Sequence, residues 1–284
     1  MNLVRRWPLC GSALVGLGLA GCMSPPATTP MVADAANPAI LNVADAAIAG
    51  KNPAMALKIS QSVLAAHPDN LPALYHEADA YYALNRCQDT IAAFRLALSI
   101  DPHSATAQTG LGRCLLRRNA AAAEQAFTAA TIDDPQNAAA FNDLGIARDL
   151  QGRYAAATNP YEQSLRLAPG YVPTEVNLGL SLALSGDSAD ALQYLGPLAT
   201  GPDATAKIRE DYATALIAAG RLPQAEHVLA VDLPPSAIPA FMRAARTAID
   251  PALFQTQPPS PPPGTIPALP PNPFNTTPLA NLQR

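Results

Sequence analysis

The chain has 284 residues, 49% of them hydrophobic, which excludes a wholly disordered polypeptide and leaves room for one large domain or two small ones. Only 14% are charged and 5% aromatic, so Ala and Leu carry most of the apolar content, and these residues favour close-packed helices over sheets. The net charge of -4 comes without a long run of Lys or Arg, which argues against nucleic acid as a partner.

In chain order, Arg5 and Arg6 precede an apolar run from Leu9 to Leu19, the length of a signal-peptide core and too short to span a bilayer. The run ends Leu19-Ala20-Gly21-Cys22, which resembles the bacterial lipobox. That resemblance implies a signal peptide over 1–21, cleavage before Cys22 and acylation of its sulfur and new amine. Multiple acyl chains tether a protein stably to a membrane. Met23 rather than Asp after the Cys implies the outer membrane, with the protein on its periplasmic face. Loss of 1–21 leaves 16 basic against 22 acidic residues, a charge of -6. Residues 22–36, rich in Pro and small residues, read as a solvated linker.

Beyond the linker the chain repeats. Pro68, Pro102, Pro135 and Pro169 are separated by 34, 33 and 34 residues, where one helix stops and the next begins. At fixed offsets before each Pro come a small, a larger and another small residue, as in Thr90, Phe94 and Ala97, in Ala123, Phe127 and Ala130, and in Ala157, Tyr161 and Ser164. Leu111-Gly112, Leu144-Gly145 and Leu178-Gly179 recur in the first half of each unit. Small residues at a helix contact let two backbones approach.

This pattern resembles the tetratricopeptide repeat. It implies an all-α, right-handed solenoid of about six helical hairpins over 37–232, in units 37–70, 71–104, 105–137, 138–171, 172–205 and a degenerate 206–232. Each unit buries its apolar face only against its neighbours. The third unit lacks one residue near Asn119, and Pro160 falls inside the second helix of the fourth, where a break or kink is expected. Phe241, Ala244, Ala245 and Ile249 make an apolar stripe, so 233–250 reads as a capping helix. Residues 251–284, with Pro258-Pro259-Ser260-Pro261-Pro262-Pro263, read as a disordered, extended tail.

Chemistry is scarce. Gly179-Leu180-Ser181-Leu182-Ala183 imitates a nucleophile elbow, but no strand precedes it and Gly179 is the repeat's packing glycine. His67, His76, His103 and His227 form no metal motif, and there is no phosphate loop, so no catalytic residue, metal or cofactor is assigned. Cys87 opens the second helix of unit two and Cys114 lies late in the first helix of unit three, at matching heights in an antiparallel pair. They are either a disulfide or two buried thiols; sequence fixes the height but not the direction of the Cβ vectors.

In tetratricopeptide proteins the first helix of each hairpin lines a concave groove that binds protein or peptide. Its outward positions here are Tyr75, Asp79 and Tyr82, then Thr109, Arg113 and Arg117, then Asn142, Ile146 and Asp149, then Val176, Leu180 and Leu184. This lining is mixed at one end and apolar at the other, suited to an amphipathic helix or an extended peptide rather than a small molecule. The stretch from Val176 to Gly186, continuing through Ala191-Leu192 and Leu195, together with Ala225-Glu226, Leu229 and Asp232-Leu233, resembles the TadD lipoproteins of Flp (tight adherence) pilus assembly. The resemblance implies a non-enzymatic, pilotin-like scaffold for an outer-membrane secretin or other pilus components. The alternative is an adaptor that recruits peptidoglycan hydrolases or synthases.

Overall fold

The computed structural model describes residues 38–250. The signal segment, Cys22, the linker and the Pro-rich tail lie outside the described residues.

Thirteen α-helices and no strand make up the described residues. They are α1 (Pro38–Ala49), α2 (Pro53–Ala66), α3 (Leu71–Ala83), α4 (Cys87–Ile100), α5 (Ala105–Leu115), α6 (Ala120–Asp133) and α7 (Ala138–Asp149). The series continues with α8 (Tyr154–Leu167), α9 (Val172–Ser185), α10 (Ser188–Thr200), α11 (Ala206–Ala218), α12 (Leu222–Leu229) and α13 (Ile238–Ile249). Each helix packs on the next in sequence up to α12, and each odd helix also meets the following odd one, which is the order of a solenoid of hairpins.

Turn chemistry sets the period. Two residues after each of Pro68, Pro102 and Pro135, the side chains of Asn70, Ser104 and Asn137 accept from the backbone N–H of Ala73, Ala107 and Ala140. These N-caps satisfy donors that the first turn of a helix leaves unpaired, typically stabilising it by about 1 kcal/mol. Inside the hairpins the chain reverses through a left-handed residue: Lys51, Asn85, Gly152, Gly186 and Gly220, with φ between 58° and 102°. The third hairpin has no such residue, because the missing position near Asn119 is the one that would carry it; Asn119 instead caps α6 through Ala122 N–H. Copy length is thus read directly as turn geometry.

Packing follows the small-large alternation. Phe94, Phe127, Tyr161 and Leu195 are each no more than 1% exposed and stand on small residues of the neighbouring helices. A Cβ placed on Gly112 would lie 2.6 Å from the Phe127 ring, one on Gly145 2.4 Å from Tyr161, and one on Gly179 2.6 Å from Leu195. Real side chains do not approach so closely, so these glycines are the sockets for the large residue of the same hairpin. Ala123, Ala130, Ala157 and Ala191 are fully buried beside them.

One expectation needs correction. Helix α8 runs unbroken through Pro160, which is buried within it. A proline at this place cannot donate to the carbonyl of Ala156, four residues before. The Arg148 guanidinium of α7 takes over, donating to that carbonyl at 2.8 Å while its Nε holds Glu124 at 3.0 Å. The helix survives because a neighbouring element supplies the missing donor. We expect Arg148→Met to destabilise the native protein more than it destabilises a Pro160→Ala background, where the backbone N–H is restored. A coupling of about 1 kcal/mol in a chemical-denaturation double-mutant cycle would register this, and additive losses would refute it.

The helix expected within 233–250 is α13. It buries Met242 and Ala245 against the terminal cluster of Ala213, Leu216, Ile217 and Leu229, as a cap does. Its close backbone neighbours are α11 and α9.

Candidate functional site

The odd helices α3, α5, α7 and α9 bring the candidate groove residues to one side of the solenoid. Their polar groups form a chain of contacts. His76 Nδ1 of α3 meets Asp45 of α1 at 3.1 Å. Asp79 is open to solvent yet crowded by protein, so desolvation raises its carboxyl above 3.8, against the pull of His76 and Arg113. Arg113 of α5 donates through Nε to Asp143 of α7 at 2.6 Å. Asp143 is 2% exposed, and burial raises its pKa while Arg113 and Asn142 hold it back. Tyr82, half-buried beside this pair, has its hydroxyl pushed up by burial.

Toward α9 the contacts become neutral. Asn142 Oδ1 accepts from Thr174 Oγ1 at 3.0 Å and from Asn177 Nδ2 at 3.1 Å. Asp149 accepts from the Tyr161 hydroxyl at 2.7 Å and from Ser181 Oγ at 2.8 Å, joining α7, α8 and α9. Ser181 is fully buried in the middle of α9, so the elbow-like stretch is an interhelical hydrogen-bonding position.

The side chains expected to point outward therefore divide. Asp79 and Arg117 are exposed, Arg113 is 30% exposed, and Tyr75 and Tyr82 are half-buried, Tyr75 with its hydroxyl 2.7 Å from Ser104 Oγ. Leu180 and Leu184 are half-buried, while Ile146 and Val176 pack against a core cluster. Thr109 at 7% exposure and Asn142 at 2% are buried, which corrects their assignment as outward positions. A helix in a solenoid is covered on three sides, so the face that periodicity marks as outward is narrower than on a helix packed on one side only. Asp149 likewise serves the joint between hairpins. Sequence reasoning passed over Asp45, Asp143 and Asn177 and weighed His76 only as a metal ligand; a polar residue interrupting the apolar first-helix pattern, such as Asp143 beside Leu144-Gly145, is the signal that points to them.

The sulfurs of Cys87 and Cys114 are bonded, with Cα atoms 5.4 Å apart, so the start of α4 is tied to the end of α5 next to Arg113. For a sequence separation of 27 the loop-entropy contribution is about 3–4 kcal/mol. Among the described residues, no three His, Cys, Asp or Glu side chains gather as a metal ion would require.

Asp149 provides a pH test. It lacks a cationic partner, unlike Asp143 and Asp211, and burial raises its pKa from 3.8 to about 7 against the two hydroxyl donors. The folded chain therefore binds this proton more tightly than the unfolded chain. Its contribution to stability is present at low pH and is lost as pH rises from 3.8 toward 7. Asp149→Asn should flatten the pH dependence of the unfolding free energy in that window by up to about 1.4 kcal/mol per pH unit. Parallel slopes for the two proteins in urea titrations at successive pH values would refute the assignment.

The tetratricopeptide repeat family matches residues 41–105, 75–122 and 117–172. With the hairpin order of the helices, this gives residues 41–172 the tetratricopeptide repeat and the described residues a solenoid fold. Among solved structures it is similar to PilW, described as a widely conserved type IV pilus biogenesis factor, at 24% identity and TM-score 0.61, covering 71% of this chain and 95% of that one. It is also similar to Pseudomonas aeruginosa PilF, at 19% identity and TM-score 0.60, with 68% and 87% covered. A third similarity is to YrrB, described as a tetratricopeptide repeat protein with an unusual peptide-binding site, at 16% identity and TM-score 0.52, with 69% and 94% covered. At these identities the likeness is one of fold. Among curated proteins it is 33% identical over 99 residues to the probable UDP-N-acetylglucosamine–peptide N-acetylglucosaminyltransferase SPINDLY of Solanum lycopersicum. That match covers 34% of this chain and spans only 11% of the transferase.

Proposed function

We propose that the protein is a non-enzymatic scaffold, tethered to the periplasmic face of the outer membrane through lipid on Cys22, that serves assembly of an Flp (tight adherence) pilus in a pilotin-like role toward the secretin. The observation that carries the reading is the odd-helix face, where Asp79, Arg113 and Arg117 stand accessible beside half-buried Tyr75, Tyr82, Leu180 and Leu184. Such a surface offers apolar area with a few charged groups, as polypeptide recognition requires. The lipobox-like Leu19-Ala20-Gly21-Cys22 supports the tether. The shared fold with two pilus proteins, and with a peptide-binding one, supports the choice of partner.

The test is a deletion strain complemented with the native gene or with Cys22→Ser. Loss of surface pili and of secretin multimers on deletion, with failure of Cys22→Ser to restore them, is the expected result. Intact pili with altered muropeptides would overturn the reading in favour of an adaptor for peptidoglycan enzymes.

A further inference from the structure

Helix α13 occupies a place that the repeat alone does not give it. Elsewhere in the solenoid an odd helix comes close only to the odd helices immediately before and after it, because the next one along is a full layer further away. Helix α13 breaks this rule by approaching both α11 and α9, so it leans back across the odd-helix side instead of forming a seventh layer. The segment from Ala230 to Ala237, with Pro234-Pro235, carries the chain round to that side.

The helix is built for such a seat. Ile238, Phe241, Met242, Ala245 and Ile249 recur at i, i+3, i+4, i+7 and i+11, so one side is apolar, while Arg243 and Arg246 are exposed on the other. Met242 and Ala245 are buried and the remaining three are half-buried on the α11–α12 cluster. This is the geometry of an amphipathic helix laid on an apolar surface, with the ligand supplied by the chain itself. Helix α9, which α13 reaches, carries Val176, Leu180 and Leu184, the apolar end of the groove lining.

We infer that α13 is an intramolecular occupant of the odd-helix side at α11 and α9, and that the surface beneath it is a docking site for an amphipathic helix of a partner protein with the same apolar spacing, which binds by displacing α13. The inference rests on the reading of the odd-helix face as a polypeptide-binding surface, but not on any pilus component. A resident helix lowers the apparent affinity of a competitor by the fraction of time the surface is free.

The experiment uses the full chain and a fluorescently labelled peptide of residues 236–250. In hydrogen exchange on the native protein, amides of α13 are expected to exchange at least about tenfold faster than those of α11, reporting an opening of α13 alone. Exchange of α13 and α11 at one common rate would overturn the proposal, because α13 would then be an inseparable part of the last layer. In fluorescence anisotropy, Phe241→Asp/Met242→Asp is expected to bind the peptide at least about tenfold more tightly than the native protein, because its own helix no longer competes. Equal or absent binding by a variant whose α9–α12 amides remain protected would overturn it, and so would loss of that protection together with α13. The peptide belongs to this chain, so these outcomes do not depend on which pilus or peptidoglycan partner the protein serves.

Discussion

Replacing Phe127 by Ala is expected to lower the free energy of unfolding by about 3–5 kcal/mol, the range measured for truncating a fully buried aromatic side chain. The ring is 0% exposed and sits in the socket that Gly112 leaves in α5, so its removal opens a void between the two helices of the third hairpin. Its neighbours Ala123 and Ala130 are too small to fill that void. The reverse change is instructive. Gly112→Ala puts a methyl 2.6 Å from the intact ring and should destabilise by about 1–3 kcal/mol from overpacking, less the roughly 1 kcal/mol that Ala gains over Gly in a helix. In the Phe127→Ala background the same methyl has room, so Gly112→Ala should become stabilising. Urea denaturation of the four proteins checks this, and an unchanged sign for Gly112→Ala would show that socket and ring are not a unit. A solenoid is stabilised through its neighbour interfaces, so the loss should also loosen the fourth hairpin, visible as faster amide exchange in α7.

The second large effect is expected at Arg113. Its guanidinium is 30% exposed, while its partner Asp143 is 2% exposed. Breaking a buried pair on one side leaves the other charge uncompensated, a loss of about 3–5 kcal/mol, whereas removing both is often close to neutral. We therefore expect Arg113→Met to lose most of that amount near pH 8 and Arg113→Met/Asp143→Asn to recover most of it. The pH dependence has a defined sign. Burial already raises Asp143 above 3.8 in the presence of Arg113, and without the cation it rises further. The single variant then binds a proton on folding, so its deficit shrinks as pH falls. A deficit independent of pH, or one that Asp143→Asn does not relieve, would mean that Arg113 acts through its packing and not through its charge. The same residue stands on the proposed partner surface, so the double variant also separates loss of binding from loss of stability.

Much of this was legible in one dimension. The spacing of Pro68, Pro102, Pro135 and Pro169 gave the register, and Thr90, Phe94, Ala123, Phe127, Ala157 and Tyr161 are all 1% exposed or less. The shortened third unit was legible as well, since a residue missing from a fixed repeat must come out of a turn. The polar groups were harder to read. Thr109 and Asn142 occupy the periodic slots of outward residues, yet solenoid neighbours cover them.

Local patterning determined the helices, their order and their small-large interlock, because each hairpin depends mainly on residues close in sequence and on the adjacent copy. Tertiary structure decided the contacts that cross layers. Arg148 serves the carbonyl freed by Pro160, Arg113 neutralises Asp143 from the previous hairpin, Asp149 gathers hydroxyls from two later helices, and α13 turns back onto α9. Those depend on the direction of a side chain or of a connecting segment in space. Residue spacing fixes height along a helix but leaves that direction open, and only the packed neighbours select it.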